Sequence, residues 1–369
     1  MNILILSWRD PKHPLNGGAE QVVHEHSKGW IKAGHSVTLF SSDFGGPKEE
    51  TLDGVHIIRQ GSQFIGVQIA AFFWYLFGRH KKFDLVIDSF HGIPLFTPFY
   101  VKAKKLALIQ EVAKEVWFLN HLSWPLNWII GFVGFITEPI IFLFYKNIPF
   151  MTGSASAKED LIKMGINLKN INIVHHGVIV KIPNQIIKEK INTIIFLGAL
   201  AKDKGIESAI EAFKILDKSG QFNFWVVGKG DPNYLAYLKE KTKMLKNKIT
   251  FFGFVSQDKK FELLSKAHIL VNPSVREGWG LVNIEANGVG TPVVAYKSSG
   301  LIDSVKDGIS GILCQENSPQ DLAANVMSLL QDQTLYEKLK KGAIFWSRQF
   351  SWENSRKQSN ELIIKCAKK

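Results

Sequence analysis

The sequence predicts an α/β protein built from two doubly wound domains, and three observations lead there. Over the first half, apolar runs of strand length at residues 3–7, 36–41, 55–59, 83–88 and 106–110 alternate with stretches of helical apolar spacing. A polar, basic stretch at 181–190 reads as a linker, and the alternation then starts afresh: strands at 193–198, 222–227 and 249–252 enclose helices at 206–216 and 232–245. Finally, 369 residues with 46% apolar and 12% aromatic composition suit two cores of ordinary size better than one.

The first strand, 3–7, leads into a loop holding Pro11, Pro14, Gly17 and Gly18. A helix at 19–33 follows, spaced through Val22, Val23, Trp30 and Ile31 and ended by Gly34 before the strand at 36–41. This is a βαβ opening whose glycines do not spell G-x-G-x-x-G. Gly17 and Gly18 offer backbone donors to a phosphate or simply make a tight turn. An aromatic-rich helix, 67–78, separates the strands at 55–59 and 83–88. His91 lies just past the second of these, at the carboxyl end of a parallel strand, where open α/β sheets place their ligands. An imidazole there can hydrogen-bond a hydroxyl in either tautomer. A strand at 150–154 and a helix at 156–164 complete this half.

Between them, residues 117–150 change character, with Trp117, Trp124 and Trp128 in a run rich in Phe, Ile and Leu. The part at 128–145 approaches the length needed to span a bilayer, but Glu138 and Pro139 sit inside it and a carboxylate is costly in lipid, so no transmembrane helix is expected. Two readings remain: a core helix pair, or an interfacial element whose aromatics rest at headgroup level in peripheral membrane contact. Arg79, Lys81, Lys82, Lys102, Lys104 and Lys105 precede the run and suit attraction to acidic lipid.

In the second half the turn at 198–205 carries Gly198, Lys202, Asp203 and Lys204. The stretch at 263–273 then leads to residues 276–296. There Glu277 precedes Gly278, Trp279 and Gly280. Leu281 opens a short amphipathic helix with Glu285 eight positions after Glu277, and Gly290 and Thr291 reset the chain into a strand at 292–295. Glycines let backbone approach a ligand closely, and the amino end of a helix favours an anion such as phosphate. Two carboxylates beside that anion suit neutral hydroxyls, as on a sugar or ribose. A late strand at 311–313 and helices at 318–330 and 335–346 complete this half.

Together, Glu277, Gly278, Gly280, Leu281, Glu285, Ala286, Gly290, Pro292, Val293 and Val294 resemble the E-x7-E signature of the retaining GT-B glycosyltransferases of family 4. The turn from Gly198 to Gly205 resembles that family's G-R-L-x-x-x-K-G phosphate turn. Phe350-Ser351-Trp352-Glu353 resembles its entry to a terminal helix. The resemblance implies a GT-B fold: two Rossmann-like domains facing a cleft, an acceptor-binding 1–178 and a donor-binding 179–349, with 350–369 packing back on the first. It implies retaining transfer from a nucleoside-diphosphate sugar, a co-substrate rather than a resident cofactor, to a lipid-linked or saccharide acceptor in cell-envelope polysaccharide or glycolipid synthesis. By the same resemblance Lys204 grips the diphosphate, Glu277 addresses the sugar and Glu285 the ribose. Backbone donors after Trp279 face the phosphates, the backbone of the loop 253–256, which holds Phe254, reads the nucleobase, Gly17 and Gly18 lie against the donor or acceptor, and His91 touches the donor sugar. Two positions depart from the pattern: Ala199 replaces an arginine and His176 an asparagine. Losing that arginine implies weaker donor binding, compensation by Lys202 or Arg276, or a non-catalytic partner subunit. A sugar-nucleotide epimerase is a further alternative, although no pair of acid/base carboxylates clearly suits it.

The absence of a D-x-D motif argues against a metal-held diphosphate. His24 and His26 diverge by about 200° on a helix and do not readily chelate, so no metal site is expected. A net charge of +12 favours anionic partners. No arginine-rich arm accompanies it, and nucleic acid is not expected. Lys239, Lys241, Lys243, Lys246 and Lys248 read as the solvated side of one helix and its exit. Two cysteines, Cys314 and Cys366, are too few for a disulfide framework. With no signal-peptide pattern at the start, the expectation is a cytoplasmic protein working at the inner face of the membrane.

Overall fold

The computed structural model describes residues 1–120, 122–183, 186–218, 220, 222–245 and 248–368. Part of the linker, Lys246 of the basic run and Lys369 therefore lie outside the described residues. The chain divides into Met1–Gly177 with Trp352–Lys369 as one unit and Val178–Ser351 as the other.

The first unit runs β1 (Asn2–Ser7), α1 (Gly18–Lys32), β2 (Ser36–Ser41), β3 (Glu49–Leu52), β4 (Val55–Arg59), α2 (Ile65–Phe77), β5 (Leu85–Phe90), α3 (Thr97–Tyr100), β6 (Lys104–Ile109), α4 (Leu126–Tyr145), β7 (Phe150–Thr152), α5 (Ala155–Lys163) and β8 (Ile171–Ile173). Among the described residues its sheet has the order β3-β4-β2-β1-β5-β6-β7-β8, parallel except for β3. Strands buried on both faces explain the continuous apolar runs seen in the sequence. Ile3, Ile5, Leu85 and Ile87 face one core, while Leu4, Leu6 and Val86 face the other, which packs against Val67 and Ala71 of α2.

The second unit runs β9 (Asn192–Leu197), α6 (Ile206–Asp217), β10 (Phe222–Val227), α7 (Pro232–Lys241), β11 (Ile249–Gly253), α8 (Gln257–Lys266), β12 (Ile269–Asn272), α9 (Leu281–Gly288), β13 (Val293–Ala295), α10 (Leu301–Ser304), β14 (Gly311–Leu313), α11 (Pro319–Gln331) and α12 (Gln333–Ser347). Its all-parallel sheet has the order β11-β10-β9-β12-β13-β14. The basic run is not merely solvated: Lys241 pairs with Glu207 at 2.9 Å and Lys248 with Asp217 at 2.6 Å.

The last helix, α13 (Trp352–Lys368), packs on the first unit. Trp30 Nε1 donates to Ser359 Oγ at 3.1 Å, Arg356 pairs with Glu25, and Leu362 and Ile363 enter the core beside Trp30.

Residues 117–150 are a correction. They do not form a buried helix pair. A 3₁₀ turn at Lys114–Leu119 precedes α4, a single helix of 20 residues. Gly131, Gly134, Glu138, Phe142 and Tyr145 make one buried stripe along it, and most of the rest is exposed. By length and composition alone α4 could cross a membrane. The acid that argued against this points inward, where Glu138 accepts from the N–H groups of Ala113 at 2.7 Å and Lys114 at 2.8 Å.

Candidate active site

In an open parallel sheet, ligands bind beyond the carboxyl ends of the strands where the strand order reverses. In the second unit β10 lies on one side of β9 and β12 on the other, so the reversal falls between β9 and β12. Lys204 follows β9, and Glu277 follows β12.

The two side chains meet. Lys204 Nζ lies 3.1 Å from Glu277 Oε1 and 3.5 Å from Asp203 Oδ2, each side chain about one-fifth exposed. Backbone contacts fix both loops. Val275 N–H donates to Asp203 O at 2.8 Å, and Glu277 N–H donates to Ser299 O at 3.0 Å. Gly205, at φ +70°, abuts the Pro273 carbonyl, and Gly300, at φ +79°, abuts the Glu277 carbonyl; a Cβ on either would collide with that oxygen. Glycine is needed at both for close approach as well as for the left-handed backbone.

A polar chain behind the carboxylate sets its direction. Ser304 Oγ accepts from Asn283 Nδ2 at 2.9 Å, and Asn283 Oδ1 accepts from Asn272 Nδ2 at 2.9 Å. Ser274 Oγ lies 2.8 Å from Asn272 Oδ1 and 3.0 Å from Glu277 Oε1, its single proton serving one of them at a time. Ser304, Asn283, Asn272 and Ser274 are buried, and buried polar groups hold their geometry when satisfied in this way. The helix α9 begins just after this loop, so its positive end faces the same region.

Glu285 lies on α9, buried, with Lys260 Nζ of α8 at 2.6 Å from its Oε1. Burial raises the Glu285 pKa and Lys260 opposes the rise. Gly198 follows β9 directly, its N–H donating to Val227 O at 3.0 Å. Phe254, just past β11, is 76% exposed, and Lys229 Nζ lies 5.3 Å from its ring centroid. That leaves an aromatic face available for stacking.

In the first unit the order reverses between β1 and β5. Gly17 and Gly18 follow β1, and His91 follows β5. Trp8, just beyond β1, lies 6.5 Å from the His91 ring, and His91 Nδ1 is 3.8 Å from Glu111 Oε1. Two buried acids anchor these loops. Asp10 takes a two-pronged contact from Arg59, at 2.7 and 2.9 Å. Asp88 accepts from Leu95 N, Thr97 N and Oγ1, and Tyr145 Oη at 2.6 Å. Burial raises the Asp88 pKa, and these donors pull it back.

Two models of known families divide the chain between them: "Glycosyltransferase Family 4" matches residues 16–181 and "Glycosyl transferases group 1" matches residues 180–346. The chain belongs to the group 1 glycosyltransferases. An uncharacterized glycosyltransferase of Methanocaldococcus jannaschii is 25% identical over 97% of this chain and 97% of its own. A second from the same archaeon is 33% identical over 43% of this chain and 44% of its own. Among solved structures, Anabaena HepE in complex with UDP-glucose superposes with a TM-score of 0.77, at 17% identity, covering 99% of this chain and 100% of that one. The fold is that of the GT-B glycosyltransferases.

In this glycosyltransferase Lys204, Glu277 and His91 lie beside the sheet reversals, whereas Phe254 follows the edge strand β11 and Glu285 lies on α9. Trp279 is 3% exposed and turns its ring onto Phe350 at 5.1 Å, so its side chain anchors the loop. Gly18 is the first residue of α1, not part of the preceding loop, and the Gly17 N–H already donates to Glu20 Oε2 at 2.7 Å. His176, where an asparagine was expected, is buried beside Gln110 at 2.6 Å, and burial holds its pKa well below the usual value, so it is a neutral packing group.

Lys260, Ser274, Asn283 and Asp88 were not foreseen. Only Asp88, an acid closing an apolar strand, carried a local signal.

Proposed function

We propose that this glycosyltransferase moves a sugar from a nucleoside-diphosphate sugar, with retention at the anomeric carbon and without a metal ion, to a lipid-linked or saccharide acceptor of the cell envelope. The carrying observation is the 3.1 Å approach of Lys204 to Glu277 at the sheet reversal, beside the amino end of α9. The ammonium and the helix amides would stabilise the departing diphosphate, and Glu277 would hold sugar hydroxyls so that the anomeric carbon is presented. Glu285 would accept from the ribose, with Phe254 beneath the base. A carboxylate that binds hydroxyls this way is a positioning group, not a nucleophile, and departure and attack would occur on one face of the sugar. HepE bound to UDP-glucose supports a nucleotide-sugar donor. In the first unit, His91 and the loop after β1 would address the acceptor or the donor sugar.

The decisive experiment incubates the protein with a panel of nucleotide sugars, with and without lipid acceptors, and follows nucleoside diphosphate release. Proton NMR of the product reads the anomeric configuration. Acceptor-dependent release with an inverted linkage would refute retention, and no release with any donor would favour the non-catalytic reading that Ala199 raises. Conversion of a donor without acceptor would favour an epimerase.

A further inference from the structure

The sheet face of the first unit that carries α2, α3 and α4 is covered by helices whose outer surfaces are apolar. On α2, Ile69 is 54%, Phe73 56% and Phe77 75% exposed; on α4, Ile129 is 54%, Phe132 59% and Leu143 60% exposed. The turn α3 joins the two helices. Phe99 packs on Phe144 of α4 at 4.8 Å, and Tyr100 packs on Phe72 of α2 at 5.1 Å. α2 contains no charged residue, and the only one in α4 is the inward Glu138. A contiguous apolar surface of this extent on an α/β domain marks a docking face.

Charge identifies what it docks on. Arg79, Lys81, Lys82, Lys102, Lys104 and Lys146 are all exposed. They follow the carboxyl ends of α2, α3 and α4, and they lie at the end of the sheet where β1, β5, β6 and β7 begin. Lys104 pairs in register with Leu85 at the start of β5; Lys82 O accepts from Asn2 at the start of β1; Lys146 precedes β7. Between Arg79 and Lys105 the exposed acid is Asp84, which the Asn2 N–H already engages at 2.7 Å. Trp124 and Trp128, 80% and 61% exposed, stand at the opposite end of α4. An uncharged face with a basic rim and terminal tryptophans matches the apolar, anionic and interfacial layers of a bilayer surface.

We propose that α2, α3 and α4 form a monotopic docking face for an anionic phospholipid membrane, with α4 lying along the interface. The stripe from Gly131 to Tyr145 keeps α4 bound to its own domain, and roughly 30 Å of helix at 1.5 Å per residue lies against the membrane. At the Trp8 end of this face, Phe64 lies 6.2 Å from Trp8, which in turn neighbours His91. A lipid-borne acceptor would enter there, a consequence that rests on the proposed function, whereas the docking itself does not.

The test is co-sedimentation of the full chain with vesicles of phosphatidylcholine alone or with phosphatidylglycerol, without substrate. Binding should be at least about tenfold stronger to the anionic vesicles and fall with salt. Phe73→Glu with Phe132→Glu should abolish binding to both, and Lys81→Glu with Lys82→Glu should remove the preference for anionic lipid. Circular dichroism and thermal melting confirm that each variant folds, since all four side chains are exposed. No vesicle binding by the parent protein would overturn the proposal, as would a dimer dissolved by the same glutamates without vesicle binding. Nucleoside diphosphate release in detergent, measured in parallel, separates failure of docking from failure of the glycosyltransferase reading.

Discussion

Lys204 and Glu277, 73 residues apart in the numbering, share an ion pair 3.1 Å long across the loops after β9 and β12. A diphosphate would compete with Glu277 and Asp203 for the same ammonium. Lys204→Ala should therefore cost turnover heavily. A hydrogen bond to a charged group is worth about 1.5–3 kcal/mol, so kcat/KM should fall by roughly 10- to 150-fold, and undiminished activity would place the diphosphate elsewhere.

Glu277→Gln should act in opposite directions on binding and chemistry. Removing one of the two carboxylates beside Lys204 should tighten nucleoside diphosphate binding by a few-fold, the scale of a partly exposed ion pair of up to ~1 kcal/mol. Turnover should fall, because the amide holds sugar hydroxyls less well. Calorimetry with the diphosphate and steady-state kinetics separate the two effects; weaker diphosphate binding would contradict the competition.

Glu285→Ala should weaken nucleotide affinity and also destabilise the second unit, since Lys260 loses its partner in a largely buried place. Breaking such a pair costs about 3–5 kcal/mol, whereas replacing both partners is often tolerated. Glu285→Met with Lys260→Met should recover stability in a thermal melt without recovering nucleotide affinity. Recovered affinity would remove the ribose role.

Ala199→Arg should tighten donor binding, because the guanidinium would join Lys204 beside the phosphates. Isothermal titration with the nucleotide sugar reads the change, and no change would point to a diphosphate already satisfied by other groups.

Acid should loosen the first unit through His26. This imidazole is fully buried between Trp30 and Trp352, with centroids 6.1 and 5.8 Å away, and among the described residues neither ring nitrogen has a hydrogen-bond partner. Burial lowers its pKa from 6.5 to about 3. The unfolded chain takes up a proton between those values that the folded chain does not, so His26's contribution is intact above pH 6.5 and is lost as pH falls toward 3. His26→Phe should flatten the fall of melting temperature between pH 6.5 and 4. His176 and, in the second unit, His268, whose pKa is about 4, will keep part of the slope. An unchanged slope would mean that His26 does not couple folding to pH.

The sheets were legible because buried parallel strands leave unbroken apolar runs, and that pattern set His91 at the carboxyl end of a strand; the strand order, and with it the reversals, was not legible, and Lys204 and Glu277 were singled out by resemblance. β3 was not legible: Glu49–Leu52 is a short polar edge strand with no buried face to impose a pattern. α4 was legible as apolar but not as exposed, since a helix apolar all round looks the same in a core as at an interface. Within the site, Glu277 and Glu285 showed themselves through local spacing. Lys260 and Ser274 act through contacts made by folding, and nothing in their own neighbourhoods announces them. The direction of the Trp279 ring was not legible either, since sequence does not say which way a ring turns, and here Phe350 receives it.

The terminal helix has a consequence for biogenesis. The first unit contains residues 1–177 but is completed by Ser359, Arg356 and Ile363 on α13. During translation the second unit can close as soon as it has left the ribosome, whereas the unit translated earlier must wait, its α1 groove uncovered, until the end of α13 emerges. The order of synthesis and the order of completion are therefore reversed, and that waiting interval is when this chain most needs a chaperone.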